Sequence, residues 1–483
     1  MKRLFVRPLG ACALALGLLG GCSLLVDVDD ECTADADCGG ELRCVQNLCV
    51  ATGVTVAPTE CAHYYGVPED QIFADDVVRV GMLMPTTGDL GPVGLAIERA
   101  AALAVEQINE SSGIDGRRIG IIACDTATNL DQAKRLADWL IKGARVPAII
   151  GPATSANALG VFTDVARPNG TLIISPSATS PAITDLDDDD LLWRTVPSDA
   201  AQGRAILAYL ADREYDKIAM IHLDDPYGRG LRDAVQFPLC EQERCGEANF
   251  LALPYRADND GVVSLDTVTQ IKGQLRDFAP EVIVFVGFVQ AGIAILGDLA
   301  SSGYADLPFV LTDGLRNDEL IAGIGNETLL GNVLGTAAAS PDGAVYQVFA
   351  NAYRAKYGED PGVYNAQAYD AMYLIAFAMA GAQGQLTGGA LAAQLKRMSA
   401  GETVLARGDD WTKGVRILRG SPDATFDFSG TSGALDFNPD TGEALANIEG
   451  WYFDVMNDTV ESYGVIYTED GTYRAPMSPD MTE

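Results

Sequence analysis

Histidine is nearly absent from this chain. Its 483 residues include two, His63 and His222. Two are too few for a multi-histidine metal centre, and they leave a Ser-His-Asp triad hard to assemble. Positive charge is also scarce: 33 Lys and Arg stand against 67 Asp and Glu, a net charge of −34. Such a surface repels phosphate backbones and argues against nucleic-acid binding. The G-x-G-x-x-G, Walker A, H-E-x-x-H and G-x-S-x-G patterns are missing, so no cofactor is expected and an enzyme is disfavoured. Long apolar runs are lacking too. Beyond the N-terminus none reaches the ~18 residues of a membrane span, and the longest, 371–382, reads as a buried helix. What is present points to a folded protein. Hydrophobic residues make up 48%, which excludes wholesale disorder, and the length predicts two or three domains.

Lys2, Arg3 and Arg7 precede an apolar stretch over 9–20, the pattern of an export signal. It ends in Leu19-Gly20-Gly21-Cys22, which resembles a bacterial lipobox. That resemblance implies cleavage of residues 1–21 and a lipid on Cys22. Ser23 follows where an Asp is associated with inner-membrane retention, a pointer toward the outer membrane. Of ten cysteines, Cys12 leaves with the signal and Cys22 takes the lipid. The remaining eight form an even set in an exported chain, the pattern of disulfides. Cys32, Cys38, Cys44 and Cys49 crowd an acidic segment within 22–60 that is too short to fold without staples. Four cysteines allow three pairings, of which the interlocked one, Cys32–Cys44 with Cys38–Cys49, is preferred. A zinc site is disfavoured because C-x2-C spacing is missing. Cys240 and Cys245 are expected to close a small loop. Cys61 and Cys124 are left to pin the linker to the body.

From Val77 onward the chain alternates strands and helices. Val77–Met84 is an apolar run suited to a strand buried on both faces. A helix over 94–109 follows, with Ile97, Ala101, Ala104, Val105 and Ile108 at helical spacing. Strands over 118–124, 147–151 and 171–175 continue the pattern, with helices over 130–142 and 156–167. A second block repeats it. Strands are predicted over 217–223, 249–253, 281–288 and 308–312, and helices over 200–213, 228–239, 265–278 and 291–301. Two long helices, 344–357 and 365–381, come later, and 433–467 alternates like antiparallel strands. Two such blocks form doubly wound sheets with a cleft between them, and ligands lie at the carboxyl ends of the strands.

The loops after strands are therefore the candidate site. Thr154, Ser155 and Asn157 follow a Gly-Pro strand exit and open a helix, a place suited to an anion. The plainer role is helix capping by Ser155 or Asn157. Ser177, Ala178 and Thr179 follow the next strand as a second hydroxyl-rich loop. In the second block Tyr227, Phe288 and Asp313 follow or end strands. Their plainer roles are a surface turn, core packing and an Asp-Gly turn. Hydroxyls on one block and an acid on the other would suit a zwitterion. His222, at the end of an apolar strand, reads as a packed core residue.

The order of several segments is specific: Val80-Gly81, Thr87-Gly88, residues 104–116 (AVEQINESSGIDG), Ile149-Ile150-Gly151-Pro152, Ser175-Pro176-Ser177-Ala178-Thr179, Trp193-Arg194-Thr195-Val196-Pro197, Asp225-Pro226-Tyr227-Gly228 and Tyr369-Asp370-Ala371. In this order the chain resembles the type I periplasmic solute-binding proteins of the leucine/isoleucine/valine-binding family, from Val77 to about Tyr467. The resemblance implies an α/β fold of two Rossmann-like lobes, a three-crossover hinge and a ligand in the inter-lobe cleft. It implies carboxylate binding by Ser155 and Thr179, a backbone carbonyl for an ammonium beside Ser177 and Ala178, and an aromatic wall at Tyr227. Phe288 stands where amino-acid binders often carry Tyr, and Asp313 where they carry the acid. Val93 stands where an aromatic often covers the side-chain pocket, with Thr154 beside it.

On that resemblance lobe 1 is expected over 77–196 and 336–435, lobe 2 over 197–335 and 436–470, and a tail over 471–483. Crossings are expected near 194–198, 334–338 and 435–439. The implied role is a lipid-anchored receptor on the periplasmic side of the envelope, delivering a carboxylate-bearing ligand to an ABC permease. The alternative is a sensor of the same fold that reports to a membrane signalling partner.

Overall fold

The computed structural model describes residues 42–45, 48–51, 57–339, 343–438, 441–444 and 447–476. The chain divides into two units, 1–56 and 57–483. In the first, Leu42–Val45 pairs antiparallel with Leu48–Ala51, with Cys44 opposite Cys49 in the backbone register. The lipid expected on Cys22 and the pairings expected of Cys32, Cys38, Cys44 and Cys49 lie outside the described residues.

The second unit holds two doubly wound sheets. In the first, the parallel order is Arg118–Asp125, Val77–Met84, Ala148–Ile150, Leu172–Ser175, Leu192–Arg194. In the second it is Phe250–Tyr255, Ile218–Leu223, Val282–Val286, Phe309–Leu311, Val333–Ala338. Both orders reverse direction once. The reversal lies beside Val77–Met84 in one sheet and beside Ile218–Leu223 in the other. At that point the flanking loops leave toward opposite faces and open a crevice. The sequence reads this way because seven of eight residues in Val77–Met84 are buried, so apolar side chains occupy both faces.

Helix Asn365–Gly381 is buried at every position. A helix apolar all round belongs inside a core or a membrane. Here it lies in the first lobe against helices Gly91–Glu110, Gly388–Leu395 and Gly408–Gly420. Its Phe377 ring stands 4.7 Å from Trp411 and 5.2 Å from Phe426. No helix among the described residues is long and apolar enough to cross a membrane. Disulfides join Cys61 to Cys124 and Cys240 to Cys245. The first ties the edge segment that carries His63–Tyr65 to the neighbouring strand.

The structure moves several expected boundaries. The first crossing falls at 195–198, between strand Leu192–Arg194 and helix Asp199–Asp212. The second comes after Ala338, because Val333–Ala338 is laddered into the second sheet on both sides. Residues 336–338 therefore belong to lobe 2. The third comes after Ala444. Phe437–Asn438 pairs with Glu443–Ala444, and Glu443 pairs with Arg194, so this hairpin extends the first sheet. Residues 436–438 and 443–444 thus belong to lobe 1. A small sheet of Glu402–Leu405, Phe426–Gly430 and Gly433–Ala434 was not foreseen. Val404, Phe426 and Phe428 are buried in the lobe 1 core, as is Trp411 of the helix between the first two strands.

Candidate functional site

The loops at the two reversal points face one another. In lobe 1, strand Ala148–Ile150 ends at Gly151, whose φ is +97°. A Cβ there would stand 2.4 Å from the Leu83 carbonyl, so the tight exit requires glycine. Thr154 follows as the cap of helix Ser155–Val161, its Oγ1 accepting from the Asn157 amide at 3.3 Å. Ser155 and Asn157 are thus the first and third helical residues and not the cap. Ser155 Oγ accepts from the Ser180 amide at 3.1 Å. Ser177 Oγ donates to the Ala153 carbonyl at 2.9 Å, and Ser175 Oγ to the Pro152 carbonyl at 2.7 Å. The two hydroxyl-rich loops are therefore stitched into one surface before any ligand arrives.

In lobe 2, Asp225 caps helix Pro226–Glu241 by accepting from the Gly228 amide at 2.8 Å. This turns Tyr227 inward, where it is 3% exposed. Its ring stacks on Phe288 at 5.6 Å, with the planes 14° apart. Tyr227 Oη donates to Asp313 Oδ1 at 2.8 Å. Phe288 does not end a strand, as expected over 281–288. The strand stops at Val286, and Phe288 caps helix Val289–Leu299 without a side-chain bond. The interruption is Gly287, where a Cβ would collide with Tyr255 Oη at 1.8 Å. Asp313 opens a short 3-10 turn and is 5% exposed.

Val93, Thr154, Ser155, Ser177, Thr179, Tyr227, Phe288 and Asp313 line one cavity of about 50 Å³ between the lobes. Ala178 does not. It is fully buried beneath its loop, its amide bonded to Ser175 Oγ and its carbonyl to Arg194. His222 is buried away from the cavity, and burial lowers its pKa.

Two residues escaped sequence reasoning. Tyr364, the residue before helix Asn365–Gly381, reaches across from lobe 1 and donates to Asp313 Oδ2. It also lines the cavity. Its backbone is left-handed, with φ +64°, and no pattern in the sequence marks that turn. Asp199 begins the helix after the first crossing, its amide donating to the Thr179 carbonyl at 2.8 Å. It is fully buried, and neither carboxylate oxygen meets a donor within bonding geometry. Burial first, then the neighbouring Asp313 charge, push its pKa well up. Burial also raises that of Asp313, while the Tyr364 and Tyr227 hydroxyls oppose the rise. The available signal was Ser198-Asp199, a cap and first-turn acid opening a helix directly after the hinge. Asp313 thus lines the cavity from lobe 2 with the hydroxyl residues Ser155, Ser177 and Thr179 of lobe 1, while the buried Asp199 carboxyl lies outside that lining and bears on Asp313 by charge.

Two α/β lobes, three crossings and a polar cleft at facing strand ends define a type I periplasmic binding fold. The chain belongs to the periplasmic binding protein family, whose pattern matches residues 77–418. A leucine-, isoleucine-, valine-, threonine- and alanine-binding protein of Pseudomonas aeruginosa is 26% identical over 306 residues, 63% of this chain and 78% of that protein. The branched-chain amino acid transporter substrate-binding protein LivJ of Streptococcus pneumoniae, solved with isoleucine, superposes with a TM-score of 0.62 at 24% identity. That match covers 80% of this chain and 98% of LivJ. A solute-binding protein of R. palustris, solved with benzoate, superposes with a TM-score of 0.61 at 16% identity, covering 83% and 99%.

Proposed function

We propose that this protein is a lipid-anchored receptor on the periplasmic side of the envelope that captures a small ligand with a carboxylate and an α-ammonium for an ABC transporter. The observation that carries the reading is the polarity of the cleft. Ser155, Ser177 and Thr179 present hydroxyls from lobe 1, and Asp313 presents a buried carboxyl from the other side, on which the buried Asp199 carboxyl bears by charge. Buried acids are costly unless paired, and an ammonium is their natural partner. Phe288 and Tyr227 supply an apolar wall, and Val93 leaves the opposite wall small. Branched-chain amino acids, bound by the relatives, fit this description. The cavity holds only a few waters at about 10–15 Å³ each, so a ligand of that size enters by parting the lobes about the hinge. Lipid on Cys22 would hold the receptor at the envelope, within reach of imported solutes.

The test is mass spectrometry of molecules released from the purified, denatured protein, then calorimetry with amino acids and organic acids. Removing one partner of a buried charge pair costs on the order of 3–5 kcal/mol. Asp313→Ala should therefore weaken an amino acid at least about a hundredfold and leave a simple carboxylate nearly unaffected. Unchanged affinity for every ligand would reduce Asp313 to a turn residue. Cys22→Ser should move the protein from the detergent phase to the soluble extract. Continued partitioning with membranes would refute the anchor.

A further inference from the structure

The cleft is bridged at a second place, outside the ligand cavity. Asp89 lies in the loop after strand Val77–Met84, in lobe 1. Its Oδ1 accepts from the Gln290 amide at 3.1 Å, in the first turn of helix Val289–Leu299 of lobe 2. That helix lacks a cap of its own, because Phe288 at its start offers no side-chain acceptor. Asp89 does the work of a cap from the opposite lobe. The approach is close. A Cβ on Gly88 would stand 2.9 Å from the Asn259 carbonyl, and one on Gly261 2.6 Å from Asp89 Oδ2. Both glycines have positive φ, +76° and +77°. Leu90 and Val93 on the Asp89 side, and Phe288 and Val289 on the Gln290 side, line the ligand cavity.

We infer that Asp89 is a cross-cleft positioning residue: it holds the start of helix Val289–Leu299, and with it Phe288 and Val289, only when the lobes are closed. This goes beyond the ligand reading, since it concerns closure whatever the ligand is.

The latch carries a charge effect. Asp258 and Asp260 of the facing loop, and Glu319 of helix Glu319–Ile324, bear on Asp89 with the same sign. Burial first, and these charges after it, push the Asp89 pKa up to about 6, against the bond from Gln290. In an open form the loop is solvated and the ordinary value near 4 applies. A carboxyl whose pKa rises on closure takes up a proton when the lobes close. Closure is therefore favoured as pH falls from 8 through 6, and the gain is complete near 4.

The acceptor and the charge separate in two variants. Asp89→Asn keeps an acceptor and removes the charge; Asp89→Ala removes both. The measurement is lobe-to-lobe energy transfer in the full-length, ligand-free protein, between fluorophores at the exposed positions Asp131 and Gln270, at pH 5 to 8. It is paired with amide exchange at Gln290. Asp89→Asn should be closed about fivefold more than Asp89→Ala at every pH, with Gln290 exchange slower by a similar factor. The wild-type closed population should rise several-fold from pH 8 to pH 5 and meet that of Asp89→Asn at the acid end. Other acids titrate in all three proteins and cancel in the ratios. Equal closure and equal Gln290 exchange in Asn and Ala variants would remove the latch. An identical pH response in wild type and Asp89→Asn would remove the charge coupling.

Discussion

The two lobes solve the same folding problem and present opposite chemistry. Each is a parallel sheet that reverses strand order once, and each puts a helix cap beside the reversal, Thr154 in lobe 1 and Asp225 in lobe 2. Each needs a glycine where two chains pass too closely for a Cβ, Gly151 in one and Gly287 in the other. Yet the loops of lobe 1 carry uncharged hydroxyls bonded to the backbone of the neighbouring loop, while lobe 2 carries buried acids and a stacked aromatic pair. The sheet decides where the loops meet. A handful of loop residues decides which chemistry each lobe presents to the cleft.

The lobes differ most in what fills their cores. Phe377 anchors lobe 1 among Trp411, Phe426 and Phe428, and Trp451 fills lobe 2 against Gly335. Truncating either to Ala should cost about 3–5 kcal/mol. Calorimetry should show Phe377→Ala acting on the lobe 1 transition and Trp451→Ala on that of lobe 2. If both variants lower a single shared transition equally, the lobes unfold as one cooperative body.

The disulfides make the lobes unequal in a second way. Cys61–Cys124 closes a separation of 63 residues and Cys240–Cys245 one of 5. By loop-closure entropy the first contributes about 4 kcal/mol and the second about 2 kcal/mol. Replacing each pair with Ala and measuring urea midpoints should show the larger loss in lobe 1. Equal losses would mean that local packing outweighs loop length.

The smallest effect concerns the caps. Thr154→Ala should cost about 1 kcal/mol at any pH. Asp225 differs, because burial pushes its pKa up to about 6. Between the ordinary value near 4 and that value the folded state holds the proton more tightly, so the wild type loses stability as pH rises through this window. Asp225→Asn keeps an acceptor without the charge, so its stability relative to wild type should grow from pH 4 to 6 and then level off. A flat difference in urea titrations across that range would place the Asp225 charge in contact with water.

Regular elements were the most legible part of this chain. Val77–Met84, helix Leu265–Phe278, helix Ala344–Tyr357 and helix Asn365–Gly381 fall where periodicity puts them. The errors lie where ladders or close approaches overrule pattern. Strand 281–288 reads as apolar throughout, but Gly287 must yield to Tyr255, so Phe288 leaves the sheet. The later crossings shifted because pairing, which links residues far apart in sequence, assigns Thr336 to one sheet and Phe437 to the other.

The site divides in the same manner. Its polar loops are visible in the sequence because hydroxyls and glycines cluster after apolar strands, and cleft loops must carry polar groups that a core would reject. The order of segments along the chain thus carried the resemblance to the family, and local chemistry marked the alternating elements and the hydroxyl loops around Ser155 and Thr179. Tertiary structure alone decided which of those groups face each other. Asp199 and Asp313 stand 114 positions apart by their numbers and bear on one another by charge only because folding sets the start of helix Asp199–Asp212 against the Thr179 carbonyl. Tyr364 meets Asp313, and Asp89 meets Gln290, across the gap between lobes. Such contacts cost loop-closure entropy that is offset only when whole sheets have assembled, so no local stretch of sequence records them.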